Sequence, residues 1–195
     1  METEGLRLHT RRAICCHEAG HAVAKVLNGD ALLLLVGNPN AAMTEKQRAL
    51  YRSGNRITGE RGNTMARCKE RTCRCGRPTI RNHSNPIASE FCVSLECEGC
   101  MDILIGELAC RVAGGAATLQ LMPDVHNQAD MMFDVLAILR IVEGLELVGQ
   151  KREAVLEQAI ARAHNWIQQE SRAVLALADA LFDAGVLNGE EAGGS

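Results

Sequence analysis

Near the start of the chain, Ala13, Ile14, Ala22, Val23, Val26 and Leu27 recur at helical spacing and predict an amphipathic helix. Thr10 is suited to cap its N-terminus. Asn28-Gly29-Asp30 stops it, with Gly29 placed for the left-handed position after a helix. Gly20 lies inside this helix, where glycine costs about 1 kcal/mol relative to alanine. That cost predicts close approach of another group to the backbone. The run Leu32 to Val36 is apolar throughout and reads as a short strand after a tight turn. Two roles suit it: a buried core strand, or an edge that pairs with an extended peptide.

From Gly37 to Pro86 the periodicity fades into Gly, Asn, Arg, Ser and Thr, which predicts a loop-rich insert. Helical spacing returns near Met101, with Ile103, Leu104, Leu108, Val112 and Leu119 on one face and Pro123 as the stop. Asn127-Gln128-Ala129-Asp130 reads as an N-cap with an acidic third position, opening a helix through Phe133, Leu136, Ala137, Leu139 and Ile141. Two amphipathic segments follow, 151–170 and 171–184. Val155, Leu156, Ala159, Ile160, Ala163, Trp166 and Ile167 mark the first; Val174, Leu175, Ala178, Leu181 and Phe182 mark the second, which Gly185 closes. The expected fold is mainly α: a single domain over 1–195, with a short strand beside the first helix and an insert over 37–100.

Composition supports this picture and adds to it. Aromatic residues make up only 3% of the chain and there are four prolines, as suits a helical protein. No segment approaches the ~20 apolar residues of a membrane span. Residues 1–12 are polar and lack a signal-peptide core. The expectation is a cytoplasmic protein with no membrane partner. Nine cysteines without an export signal argue for thiols or metal ligation over disulfides. The net charge of −3 is unevenly spread: residues 46–81 hold eleven Lys/Arg and only Glu60 and Glu70 as acids.

The chemistry centres on His17-Glu18-Ala19-Gly20-His21, an H-E-x-x-H pattern that chance produces in roughly one chain in a hundred of this length. Positions i and i+4 share a helix face, so both imidazoles can reach one Zn²⁺. In zinc peptidases the metal activates a water and the glutamate, here Glu18, acts as general base. A catalytic zinc takes three protein ligands and keeps one position open. His126, Asp130 and Asp134, spaced four apart, are the candidates for the third; an acid at the third helical position also serves as a simple cap.

Several blocks resemble a known family. His17-Glu18-Ala19-Gly20-His21-Ala22 is similar to the HEAGHA signature of the FtsH-type ATP-dependent zinc metalloproteases. Leu108-Ala109-Cys110-Arg111-Val112-Ala113 is similar to that family's L-x-G-R-x-A helix, and residues 152–191 to its C-terminal helical hairpin. Gln128-Ala129-Asp130-Met131 sits where the family has its Asn-Asp-Leu segment, so the resemblance implies Asp130 as third ligand. It also implies a zincin-like peptidase acting on peptide or protein substrates. It covers Arg11–Val36 and Gly106–Glu191. The chain also departs from the family. Gly114-Gly115 replaces an acidic pair, and no G-x-x-x-x-G-K-[ST] loop is present. A stand-alone peptidase domain follows, with no ATP bound by this chain and any ATPase a separate partner.

The insert has no counterpart in that family. Cys73-Arg74-Cys75-Gly76 and Cys97-Glu98-Gly99-Cys100 resemble two knuckles able to close a structural zinc site through Cys73, Cys75, Cys97 and Cys100, with Cys68 or Cys92 as substitutes. Cys15, Cys16 and Cys110 read as small buried residues. Tyr51 and Phe91 are the only aromatics near the basic residues, which disfavours nucleic acid as a partner. The leading reading is therefore a zinc metallopeptidase. The alternative is a non-catalytic zinc-stabilised module that recognises an acidic protein or nucleic acid through its basic insert. A short HExxH peptidase of the repressor-cleaving type would keep the chemistry but leave the hairpin similarity unexplained.

Overall fold

A computed structural model describes residues 2–54, 63–67, 71–75, 78–80, 94–125 and 132–190. These residues form a mainly helical protein with six α-helices and a small three-stranded sheet. Helix α1 spans Glu2–Leu27. It starts well before Thr10, which is an exposed residue within the helix and not its cap. Its C-terminal end follows the sequence: Gly29 adopts φ +86° and the Asp30 N–H returns to the Lys25 carbonyl.

Strand β1, Ala31–Val36, lies at the centre of the sheet. It pairs antiparallel with β2, Asn63–Arg67, on one side and with β5, Val186–Asn188, on the other. Leu35 is thus opposite both Thr64 and Leu187. β2 pairs along Ala31–Val36 and β5 with Leu34–Val36, so β1 is the central strand and is buried over Leu34–Val36. The insert is also more regular than its composition predicts. It contains α2, Glu45–Gly54, besides β2 and the short pair β3, Arg71–Thr72, and β4, Pro78–Ile80. Tyr51 and Met65 bury against Leu34, Val36 and Val186, giving this part of the insert its own small core.

Helix α3, Glu98–Leu121, is the axis of the molecule. Its N-terminal half packs Leu104 and Leu108 against Val142 of α4, Met132–Gly144, and Val155 and Ala159 of α5, Gly149–Gln169. Its C-terminal half presents Ala109, Cys110, Ala113, Ala116 and Ala117 to α1, which answers with Cys15, Cys16, Ala19 and Ala22. Helix α6, Ser171–Ala184, adds Val174, Leu177 and Leu181 and ends at Gly185 with φ +77°. Cys15, Cys16 and Cys110 are buried as expected, and burial pushes the Cys15 thiol up to about 12 and that of Cys16 to about 11. No helix among the described residues is long and apolar enough to cross a membrane.

The small side chains let α1 and α3 come very close. A Cβ on Gly20 would stand 2.6 Å from the Ala117 Cβ and 2.7 Å from the Ala113 carbonyl oxygen. Backbone cannot yield as a flexible side chain can, so this contact supplies the reason for a glycine inside α1. Gly20→Ala would gain about 1 kcal/mol of helix propensity but lose about 1–3 kcal/mol to overpacking. The expected result is a net loss of stability, read as a lower urea midpoint with unchanged m-value; a raised midpoint would contradict the packing.

Candidate metal centre

His17 and His21 stand one turn apart on the face of α1 turned toward α3, and both are buried. The His21 Nδ1 lies 2.8 Å from the Cys110 carbonyl oxygen. A carbonyl only accepts, so Nδ1 carries the hydrogen and Nε2 presents its lone pair inward. That Nε2 is 3.0 Å from the Nε2 of His17. Asp134, in the first turn of α4, places Oδ2 3.0 Å from the His17 Nε2 and 3.2 Å from that of His21.

Two imidazole lone pairs this close repel unless a cation or a proton lies between them. In a tetrahedral site with ligands at ~2.0–2.1 Å, ligand atoms are separated by roughly 3.3 Å. The observed triangle is only slightly tighter, and its His₂Asp donor set suits a borderline ion such as Zn²⁺. Without a metal, a proton takes the central place. Burial favours the neutral ring of His21, but the charge and hydrogen bond of Asp134, with Glu18 and the Cys110 carbonyl, outweigh it and raise the pKa to about 9. Burial pushes the Asp134 carboxyl up, yet His21 and His17 together hold it well below the usual carboxylate range.

Gly114 of α3 forms the wall behind the two rings. A Cβ there would lie 2.5 Å from the His21 Nε2 and 2.7 Å from the His17 Nε2. A side chain at this position would fit only if the two imidazoles shifted. Glu18 projects beside the histidines and is buried. The Thr64 hydroxyl lies 2.6 Å from Glu18 Oε2 and 2.8 Å from the Glu18 main-chain oxygen. It can donate to the carboxylate when Glu18 is ionised. When Glu18 is protonated on Oε2 it can donate to the main-chain oxygen and accept from the carboxyl. Burial raises the Glu18 pKa, opposed by His17, His21 and the Thr64 hydrogen bond, while Asp134 adds to the rise.

Among the described residues, the carboxylate that could serve as a third ligand is that of Asp134. Asp134 is the carboxylate that meets the histidines, whereas Asp130 and His126 lie outside the described residues. In the described helix, Met132–Gly144, Asp134 lies in the first turn; the cap read at Asn127 lies outside the described residues. Thr64 escaped notice because its segment carries only one strongly apolar residue, Met65; pairing with β1 makes it a strand.

A second cluster unites Cys73, Cys75, Cys97 and Cys100, whose sulfurs all lie within 4.8 Å of one another. Cys68 and Cys92 fall outside the described residues. The Cys97 thiol is brought down to about 7, chiefly by the backbone N–H of Cys100 and then by Cys73. The described basic side chains of the insert, Lys46, Arg48, Arg52, Arg67 and Arg74, are exposed.

Two outcomes follow from this geometry. Asp134→Ala and Gly114→Ala should each abolish metal binding at the histidines, as read by metal analysis of the purified proteins. Metal uptake by the apo chain should also displace the proton on His21. That proton is bound below about 9, so zinc affinity should rise with pH, by about tenfold per unit between pH 6 and 8 for one proton. Chelator competition at three pH values measures this; a flat profile would contradict the proton-bridged triangle.

No protein-family model matches the chain, and no curated protein matches it. The reading of the site rests on its own residues.

Proposed function

We propose that this chain is a zinc metallopeptidase of zincin-like fold, in which His17, His21 and Asp134 hold the ion and Glu18 is the general base. The observation that carries the proposal is the convergence of three ligand atoms beside a buried glutamate that is not among them. A structural zinc is closed by four protein ligands, whereas a catalytic one keeps a position open. Among the described residues, three ligand atoms meet here. This favours the enzyme over the scaffold-and-binding reading. The similarity of residues 17–22, 108–113 and 152–191 to FtsH-type peptidases points the same way.

Zn²⁺ held by this triad would supply Lewis acidity, making water more acidic and polarising a peptide carbonyl. The protein's part is proton handling. Glu18 takes the proton from the attacking water on Oε1, while Thr64 fixes Oε2 and thereby the orientation of the carboxylate. Burial makes Glu18 a stronger base than an exposed glutamate. The protonated form then returns its proton to the departing amine. With the proton on Oε1, Oε2 remains an acceptor, so the Thr64 hydroxyl donates to it in both protonation states. Peptide or protein is the substrate class.

Glu18→Gln should keep the metal and lose peptidase activity by about 10²–10⁴-fold, measured on an unfolded substrate such as casein. Equal activity of wild type and variant would refute the role of Glu18, and inactivity of both would favour the binding reading. Thr64→Val should retain metal and KM but lower kcat by roughly tenfold, in line with loss of one orienting hydrogen bond of about 1–1.5 kcal/mol.

A further inference from the structure

We propose that Cys73, Cys75, Cys97 and Cys100 hold a second zinc ion, in a closed tetrathiolate site that clamps the insert to the N-terminus of α3. The site stands on its own geometry; only its consequence for Glu18 rests on the peptidase reading.

The sulfurs meet in two pairs, Cys73 with Cys97 at 3.4 Å and Cys75 with Cys100 at 3.5 Å. These separations are far too long for disulfides, whose S–S bond is about 2.05 Å. They are close to the roughly 3.8 Å between sulfurs of a tetrahedral ion bound at ~2.3 Å. A multi-iron cluster would interpose its own iron and sulfide atoms and hold the cysteines further apart. A single ion therefore fits, and among divalent ions that take four thiolates zinc binds more tightly than ferrous iron.

The surroundings are shaped for this. Cys97 is the N-cap of α3 and Cys100 lies in its first turn, where helix N–H groups favour thiolate charge. Gly99 stands between them, and a Cβ there would come within 2.9 Å of the Cys73 sulfur. Between Arg67 and Glu98, Cys73 is the only buried apolar side chain among the described residues.

The clamp reaches the candidate catalytic site from two directions. Cys73 follows the end of β2 at Arg67 by six residues, and β2 carries Thr64 onto Glu18. From Cys97 and Cys100, α3 runs on to Cys110, whose carbonyl orients His21, and to Gly114 behind both imidazoles. The tetrathiolate ion thus joins the segment that orients the base to the helix that orients a metal ligand. It is a positioning site, with no part in bond cleavage.

Metal analysis of purified protein should find two zinc ions per chain. Cys97→Ser/Cys100→Ser should carry one, and His17→Ala/His21→Ala should carry the other. Cobalt exchange gives an independent readout on the wild type, which needs no variant to fold. A thiolate site adds intense sulfur-to-cobalt charge-transfer absorption in the near ultraviolet, which the His₂Asp site cannot give. In the cysteine variant, amide hydrogen exchange should speed up in residues 63–67, and kcat should fall several-fold with the His-site zinc retained. One zinc in the wild type, no charge-transfer band and four freely reactive thiols would overturn the site, as would iron in place of zinc. Unchanged exchange in residues 63–67 would overturn the clamp. Two zinc ions in a protein with no peptidase activity would leave this site standing and count against the peptidase reading alone.

Discussion

The close approach of α1 and α3 is the constraint on which the rest of the structure depends. It is made by residues with little or no side chain: Gly20 and Ala19 on one helix, Ala113, Gly114 and Ala117 on the other. Larger residues would fill the gap and move α3 outward. The Cys110 carbonyl would then leave His21, and Gly114 would no longer back the two imidazoles. The apolar packing of small residues and the polar geometry of the site are one arrangement seen from two sides. This also accounts for the composition, since a chain rich in alanine with few aromatics can bring helix backbones together.

The ligands differ in how firmly the protein holds them. His17 and His21 project from a helix buried against three others. Asp134 comes from α4, of which Val142 is the only buried residue and on which Met132, Val135 and Leu136 are exposed. An ion bound by all three side chains would tie the start of α4 to α1. Metal binding and the docking of α4 are then coupled, as they are wherever ligands are gathered from separate elements. Thr64 is likewise brought in from outside the helical core, on a strand that reaches Glu18 only through pairing with β1.

Much of this was legible in the sequence where the signal is local. The i, i+4 spacing of His17 and His21, the stop at Gly29 and the closing Gly185 all depend on neighbouring residues, and the structure shows them as read. The four cysteines were legible because their spacing is itself the geometry of a knuckle. What escaped depends on contacts distant in sequence. Asp134 was one of three candidates four residues apart, and only the packing of α4 brings it to the two histidines. β1 looked equally like an edge or a core strand because its partners, β2 in an unpromising insert and β5 at the far end of the chain, are fixed by tertiary pairing. Thr64 was hidden for the same reason. Gly114 stood out as a departure from a resembled family, but its cause needed the imidazoles in place.

The central claim is that α1 and α4 together form a three-ligand metal site beside Glu18. The most direct test is anomalous diffraction at the zinc absorption edge from crystals of the zinc-loaded protein. The account predicts a peak within about 2.0–2.2 Å of the Nε2 atoms of His17 and His21 and of a carboxylate oxygen of Asp134, with no bond to Glu18. A peak ligated by His126 or Asp130 in place of Asp134, or bonded directly to Glu18, or no peak at the histidines, would contradict it.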